Sequence, residues 1–388
     1  MEGAGNAARG PCRTEGPVGG ETLRSAGAAL LIPAPFWCPL GQKGSGMNKF
    51  AMLLNLAVAR APESVAALWF TGRRKVVDGR RIDAKAQALG ELFNAIRVPG
   101  VIPTIAESRA SLRILADKFD TPSPASVTKR DVTIAGGEGE RPARIYDTRP
   151  DDTSRPTLVY IHGGGWVQGG LDTHDGLCGQ IALEAGIRVI ALDYRLAPEH
   201  VWPAGPDDVL AAWLALMAAP DAWGIDPARM AVGGDSAGGN LTAVLMHDLQ
   251  VRGVVLPKLQ VLIYPAVDSR GETRSMEVLK NAYVLPRDRI DWYMDQYVPA
   301  GIDRRDPRIS PIFSPHLAGQ PEALILNAGH DPLWDDGNNY HAALREAGVA
   351  SRLHSFPGQV HAFVSARRAI PQGAEATSVV SAWLREKL

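Results

Sequence analysis

From about residue 125 to the C-terminus, short β-rich runs alternate with helical stretches, and this alternation limits the fold more than any other feature of the chain. The runs are Thr157 to Ile161, Arg188 to Asp193, Met230 to Gly233, Gln260 to Tyr264, Ala323 to Asn327 and Ser351 to Phe356. Helical segments fall between and after them, among them Asp207 to Met217, Gly239 to Leu249, Asn338 to Ala347 and Thr377 to Lys387. Strand and helix taking turns over so long a stretch predict an α/β fold with a mostly parallel central sheet covered by helices on both faces. In such sheets ligands bind at the carboxyl ends of the strands, so chemistry is to be sought in the loops that follow them.

The preceding part of the chain reads differently. Residues 47 to about 120 are helical: Ile82, Ala86, Leu89, Phe93 and Ile96 recur at steps of four and three, which stacks them on one helix face. Thr104 with Glu107 three residues later forms a capping-box signature ahead of Leu112, Ile114 and Leu115. The first 46 residues hold 15 Gly and Pro, about a third, against 54 in the remaining 342. That density marks 1–46 as a low-complexity, disordered tail or an upstream extension, since Met47 opens a more ordinary sequence. The division expected is therefore a tail at 1–46, a helical part at 47–120 and an α/β part at 121–388, the last with an insertion near 274–299.

Charge and cysteine content exclude several classes of function. Lys and Arg number 41 against 42 Asp and Glu, and no long basic run supplies the face needed to neutralise phosphates, so no nucleic-acid partner is expected. Cys12, Cys38 and Cys178 form no CxxC pair, which argues against a disulfide framework or a zinc site. Prolines 33, 35 and 39 interrupt the most apolar early segment, and no transmembrane segment is expected. Read from Met47, Lys49 and the apolar Phe50 to Ala59 faintly resemble a leader, but Asn55 inside the run favours an amphipathic helix. The expected location is cytoplasmic, with export from a start at Met47 left open.

The sharpest local signal is Gly234-Asp235-Ser236-Ala237-Gly238, between the strand ending at Gly233 and the helix through Leu241, Val244, Leu245 and Leu249. A G-x-S-x-G elbow turns from strand to helix so tightly that flanking side chains clash, and the serine oxygen is pushed into the open. The helix N-terminus behind Ser236 aims amide donors at developing negative charge. After the strand ending at Ile161 comes His162-Gly163-Gly164-Gly165-Trp166, whose glycines let backbone amides approach a substrate oxygen, as an oxyanion hole requires. No Walker lysine or G-x-G-x-x-G pattern makes it a phosphate loop. His162, ahead of the glycines, reads as a residue that orients the loop.

A serine nucleophile needs a base. His361, in the loop after Leu353 to Phe356, fits the chain order Ser, then Asp or Glu, then His, whereas His354 reads as packing within the strand. Between them Asp331 ends the run Ala323 to Gly329 plus His330, and it is preferred over Asp335 and Asp336, which read as acidic residues in a helix first turn. His330, Asp331, Asp335, Asp336 and His341 cluster in sequence, but their spacing fits no zincin or EF-hand pattern, so no metal is expected.

With these pieces the sequence resembles the hormone-sensitive-lipase-like family of α/β-hydrolases. The matching stretches are the HGGGW at 162–166, the Asp193-Tyr194-Arg195-Leu196-Ala197-Pro198-Glu199-His200 run, the GDSAGG at 234–239, Asp331-Pro332-Leu333 and Gly358 to Phe363. The resemblance covers about 75–388, including Val77-Asp78-Gly79 and Arg109. It implies Ser236, Asp331 and His361 as the triad and Gly164, Gly165 and Ala237 as the oxyanion amides. It leaves Arg195 and Glu199 as a structural network beside the site.

The function implied is a serine carboxylesterase acting on a small-molecule ester, without a cofactor, and with a homodimer admitted. The N-terminal helices and the segment from Arg274 to Pro299 are expected to roof a compact apolar pocket, narrowed by Trp166, that prefers short to medium acyl chains. An amide or formamide hydrolase would use the same triad. A non-catalytic receptor on the same fold is argued against by the retained His361.

Overall fold

Alternate residues of one central strand face two different cores. In the computed structural model, which describes residues 49–97 and 101–388, Leu158 and Tyr160 of strand β5 (Arg155–Ile161) pack with Leu177, Ile181, Val380 and Leu384. Val159 and Ile161 pack on the other side with Val209, Trp213, Leu241 and Leu245. The period of two of an extended chain sends successive side chains to opposite faces, and helices cover both, so the strand is apolar throughout. Full burial of each such Leu, Ile or Phe contributes about 1.5 to 3 kcal/mol.

Before this sheet come helices α1 (Lys49–Arg60), α2 (Glu63–Trp69), α3 (Ala84–Ile96) and α4 (Ile105–Phe119), interrupted by a hairpin of β1 (Val76–Val77) and β2 (Arg80–Arg81). The hairpin turns through Asp78 (φ 48°) and Gly79 (φ 77°), the Asp-Gly pair that a two-residue left-handed turn favours. Leu89 and Leu92 of α3 join the Leu158 core, and Phe93 meets Phe119 of α4 edge-on at 6.3 Å. The expected capping box opens α4: the Glu107 amide donates to Thr104 Oγ1 at 3.2 Å and the Thr104 amide to Glu107 Oε2 at 2.9 Å. The Phe50 to Ala59 run lies within α1, as the helical reading required. The expectations for residues 1–46 and for a start at Met47 lie outside the described residues.

Eight strands form the main sheet in the order β10-β9-β8-β7-β5-β6-β4-β3. Strands β5, β6 (Arg188–Leu192), β7 (Ile225–Asp235), β8 (Leu259–Ile263), β9 (Glu322–His330) and β10 (Ser351–Val360) run parallel, and all six were legible as short β-rich runs. Two further strands, β3 (Thr128–Ala135) and β4 (Glu140–Asp147), add an antiparallel edge that the sequence reading did not contain. Strand β3 is mostly exposed, with Lys129, Arg130 and Asp131 in succession, so it carries no apolar run to read.

The connections are helical. Helix α5 (Asp175–Ala185) and the C-terminal α12 (Pro371–Lys387) cover the Leu158 face, and α6 (Ala204–Ala218) with α8 (Ala237–Val251) covers the Val159 face. The short α7 (Pro220–Trp223) leads into β7, and α11 (Trp334–Glu346) packs Tyr340 and Leu344 against Leu262 and Ile325. Between β8 and β9 lie α9 (Arg274–Val278) and α10 (Arg287–Tyr297). No helix among the described residues is long and apolar enough to cross a membrane. Because β5 has β6 on one side and β7 on the other, the chain leaves β5 and β7 as neighbours at the sheet centre, and the loops after them open into one crevice.

Candidate active site

Ser236 sits where β7 ends and α8 begins, with φ 54° and ψ −117°, a conformation that L-residues adopt only under constraint. The constraint comes from packing. A Cβ at Gly234 or at Gly238 would collide with the Ile161 carbonyl of the neighbouring strand, so both positions exclude a side chain. The Ser236 amide donates to the Ile263 carbonyl at 2.8 Å, which fixes the elbow against β8.

His361 follows β10 and reaches the same point. Its Nε2 is 2.9 Å from Ser236 Oγ, and its Nδ1 is 2.6 Å from Asp331 Oδ2. Asp331, directly after β9, is fully buried and accepts the Leu333 amide at 2.9 Å. The Tyr264 ring lies 4.7 Å from the imidazole and closes one side of it. The structure thus brings together the three residues that the sequence singled out from three separate strand ends.

The glycine loop after β5 lines the same crevice. Gly164 (φ 125°) and Gly165 (φ 61°) are in the left-handed region, and a Cβ at Gly165 would enter the Tyr293 ring. His162 is buried: Nδ1 lies 2.8 Å from the Gly163 carbonyl, and the ring stacks on Tyr194 at 4.4 Å, so it belongs to the loop's support. Trp166 lies parallel to Tyr297 of α10 at 4.5 Å and borders the cavity. The rest of that cavity is apolar on the side of α3 and α4, where Phe93, Leu112, Leu115 and Phe119 line it together with Phe363. Arg270, Arg287 and Arg304 line it on the side of α9 and α10, and each is within ion-pair distance of an acid, in turn Asp268, Asp291 and Asp295.

The remaining sequence candidates have other partners. His354 packs against Phe356 at 4.9 Å, away from Ser236, and His341 Nδ1 faces Ser351 Oγ at 2.8 Å. His330 Nε2 is 3.1 Å from the Arg80 carbonyl, and burial holds this imidazole well below its ordinary value, at about 4. Asp335 and Asp336 do stand in the first turn of α11, yet they are more than helix-end charges. Asp335 accepts the Ser275 amide at 2.7 Å, and the buried Asp336 accepts the amides of Val267 and Asp268 at 2.9 and 3.0 Å, anchoring the segment after β8. Arg195 is clamped on Asp208 (2.9 Å), and Glu199 pairs with Arg109 of α4 (2.6 Å), as a supporting network should be.

Sequence reasoning missed His174. This buried residue at the start of α5 lies 3.2 Å from Asp235 Oδ1, immediately before the elbow serine. Asp235 also accepts the Tyr160 hydroxyl (2.7 Å) and the Gly163 amide (3.0 Å), so it ties the elbow to the glycine loop. A single histidine ahead of a helix carries no local signal of such a partner.

Fold and site together define an α/β-hydrolase with a serine elbow. A family model described as alpha/beta hydrolase fold matches residues 158–365. The chain belongs to that family, in its hormone-sensitive-lipase-like group of esterases and lipases, and is an enzyme of that group. It is 40% identical over 313 residues to carboxylic ester hydrolase LipN of Mycobacterium tuberculosis, covering 78% of this chain and 82% of the relative. It is 39% identical over 285 residues to ethyl acetate hydrolase of Pseudomonas putida, covering 73% and 88%. Among solved structures, the esterase of the archaeon Pyrobaculum calidifontis matches with a TM-score of 0.70 and 35% identity, covering 77% of this chain and 97% of that one.

Proposed function

We propose that the protein is a serine carboxylesterase that hydrolyses short- to medium-chain acyl esters through an acyl-enzyme on Ser236. The observation that carries this reading is the unbroken line from Ser236 Oγ through the His361 imidazole to the buried Asp331 carboxylate. The ester hydrolases among its relatives support it.

In this mechanism Ser236 Oγ attacks the ester carbonyl carbon while His361 Nε2 takes its proton. Asp331 holds the tautomer with the proton on Nδ1 and stabilises the imidazolium that forms. Negative charge developing on the carbonyl oxygen is met by the amides of Gly164, Gly165 and Ala237, each contributing about 2.7 to 4 kcal/mol in comparable sites. The tetrahedral species collapses, His361 protonates the departing alcohol, and the acyl group remains on Ser236. Water then attacks the acyl-enzyme with His361 as base, releasing the acid and free Ser236.

Helices α1 to α4 and the segment 274–299 act as the cap, and residues 121–388 as the catalytic domain. The cavity is lined from both cap segments, by Phe93, Leu112, Leu115 and Phe119 from one and Val284, Leu285 and Met294 from the other, which supports a preference for compact chains. The purified full-length protein should be assayed on p-nitrophenyl esters from acetate to palmitate and on the matching anilides. Turnover should be highest on the shorter esters; anilides cleaved faster than esters, or no turnover of either, would defeat the reading.

A further inference from the structure

The pair formed by His174 and Asp235 takes no part in the proton transfers above, yet it lies directly behind them. His174 and Asp235 are both buried, on α5 and at the end of β7. Three donors converge on Asp235 Oδ1: the Tyr160 hydroxyl, the Gly163 amide and His174 Nε2. The backbone that Asp235 holds through Gly163 runs directly into Gly164 and Gly165.

Both ring nitrogens of His174 face oxygen atoms. With the Thr173 hydroxyl donating its one hydrogen to the Gly170 carbonyl at 2.9 Å, its oxygen is an acceptor for His174 Nδ1, also 2.9 Å away. In that arrangement Nδ1 carries a proton. Nε2 faces a carboxylate oxygen at 3.2 Å, where a bare lone pair would meet another, so Nε2 carries one as well. Burial opposes charge on His174, but Asp235 outweighs it and raises the imidazole above its ordinary value. Burial likewise opposes charge on Asp235, and the His174, Tyr160 and Gly163 contacts bring it down to about 2.

We propose that His174 is a positioning residue held as an imidazolium, and that its ion pair with Asp235 fixes the Gly163 peptide and through it the oxyanion amides of Gly164 and Gly165. The inference rests on the esterase reading of the same site. The other titratable groups around the pair are accounted for. Asp120 is bound by Arg367 through two contacts of 2.6 and 2.9 Å, and the His162 ring lies 5.6 Å from His174. Burial pushes Cys178, Tyr160 and Tyr264 well above their ordinary values, so none of these three ionises ahead of His174 as the pH rises.

The direct test needs no variant. Nitrogen-15 NMR of the ring-labelled full-length protein should find both His174 nitrogens protonated at pH 7.5; one unprotonated ring nitrogen overturns the inference. The second arm replaces the pair by neutral partners, His174→Gln with Asp235→Asn. A loss in kcat of roughly 10²-fold is expected, as for a small misplacement of reacting groups, with KM within about twofold. The parent's kcat should fall at the alkaline pH where His174 loses its proton, and this fall should be absent from the double variant, a change that a merely structural role would not produce. A double variant with the parent's kcat and pH profile overturns the positioning role. Should the parent itself hydrolyse no ester, the esterase reading fails, while the NMR result still decides the charge state of His174.

Discussion

Asp83, the N-cap of α3, accepts a hydrogen bond from Gln359 Nε2 at 2.7 Å, two residues before His361. The Asp83 amide also donates to the Gly358 carbonyl at 2.8 Å. Three residues earlier, Arg80 Nε donates to the Gly329 carbonyl at 2.8 Å, and the Arg80 carbonyl faces His330, which precedes Asp331. The segment 80–83 therefore holds the ends of β9 and β10 at the points where Asp331 and His361 leave them. Asp83→Ala and Gln359→Ala should each lower kcat about tenfold and fail to add, with a coupling of roughly 1 to 2 kcal/mol in a double-mutant cycle. Additive losses would show that the two residues act independently. By the same contacts, removing residues 1–120 should cost solubility, selectivity and turnover, because the Leu158-side core loses the cover of Leu89 and Leu92 on α3, whereas removing 1–46 should change none of them.

Because the residues of a catalytic triad work as a unit, the proposed roles predict that Ser236→Ala or His361→Ala should each reduce ester turnover by roughly 10⁴ to 10⁶-fold while circular dichroism stays unchanged. A p-nitrophenyl phosphonate should label Ser236, as peptide mass mapping would establish. Asp331→Asn should cripple the enzyme by leaving the wrong imidazole tautomer facing Ser236. Asp335→Asn should act mainly on stability, since Asp335 is occupied with the Ser275 amide. A mild Asp331→Asn beside a dead Asp335→Asn would reverse the choice of acid.

Stability should depend on His330 in acid. Its folded value near 4 lies below the ordinary ~6.5, so on acidification the unfolded chain takes up the proton first. This contribution is complete above about pH 6.5 and is lost between there and about pH 4. From pH 7 to pH 5 it amounts to about 2 kcal/mol at one pK unit per 1.36 kcal/mol. Urea unfolding at the two pH values should show His330→Asn losing less stability than the parent by that amount. Equal losses in the two proteins would remove His330 from the acid response.

Much of this arrangement is legible in the chain because its signals are local. The six parallel strands announce themselves as short β-rich runs, five of them strongly apolar, and Gly234, Gly238 and Gly163 to Gly165 mark the places where a side chain would crowd its neighbours. Strands β3 and β4 escaped because an edge with one solvated face alternates charged and apolar residues too briefly to stand out. Asp335 and Asp336 were read from their helix position alone, and helix position says nothing of the Ser275, Val267 and Asp268 amides that they accept. The same limit hid His174, at the N-terminus of α5, which meets its partner Asp235 at the end of β7 only through tertiary packing. Residues whose role depends on tertiary contact lack a sequence pattern even when the fold itself has one.

Chain-length preference gives the last test. Leu115 borders the apolar lobe from α4 and is joined there by Phe93, Leu112 and Phe119, so a larger side chain at this position takes volume from the lobe without touching Ser236, His361 or the glycine loop. Leu115→Trp should leave kcat/KM on p-nitrophenyl acetate within about twofold and lower it on the hexanoate or octanoate by roughly tenfold or more, the size of effect that one or two excluded methylenes produce. Leu115→Ala should shift the optimum toward longer chains at a stability cost below the ~2 to 5 kcal/mol of a fully buried Leu→Ala, because Leu115 is partly buried and already borders the cavity. Measuring kcat/KM along the ester series for the three proteins decides the matter. A Leu115→Trp enzyme that loses acetate and octanoate turnover in equal proportion would show that this lobe does not hold the acyl chain.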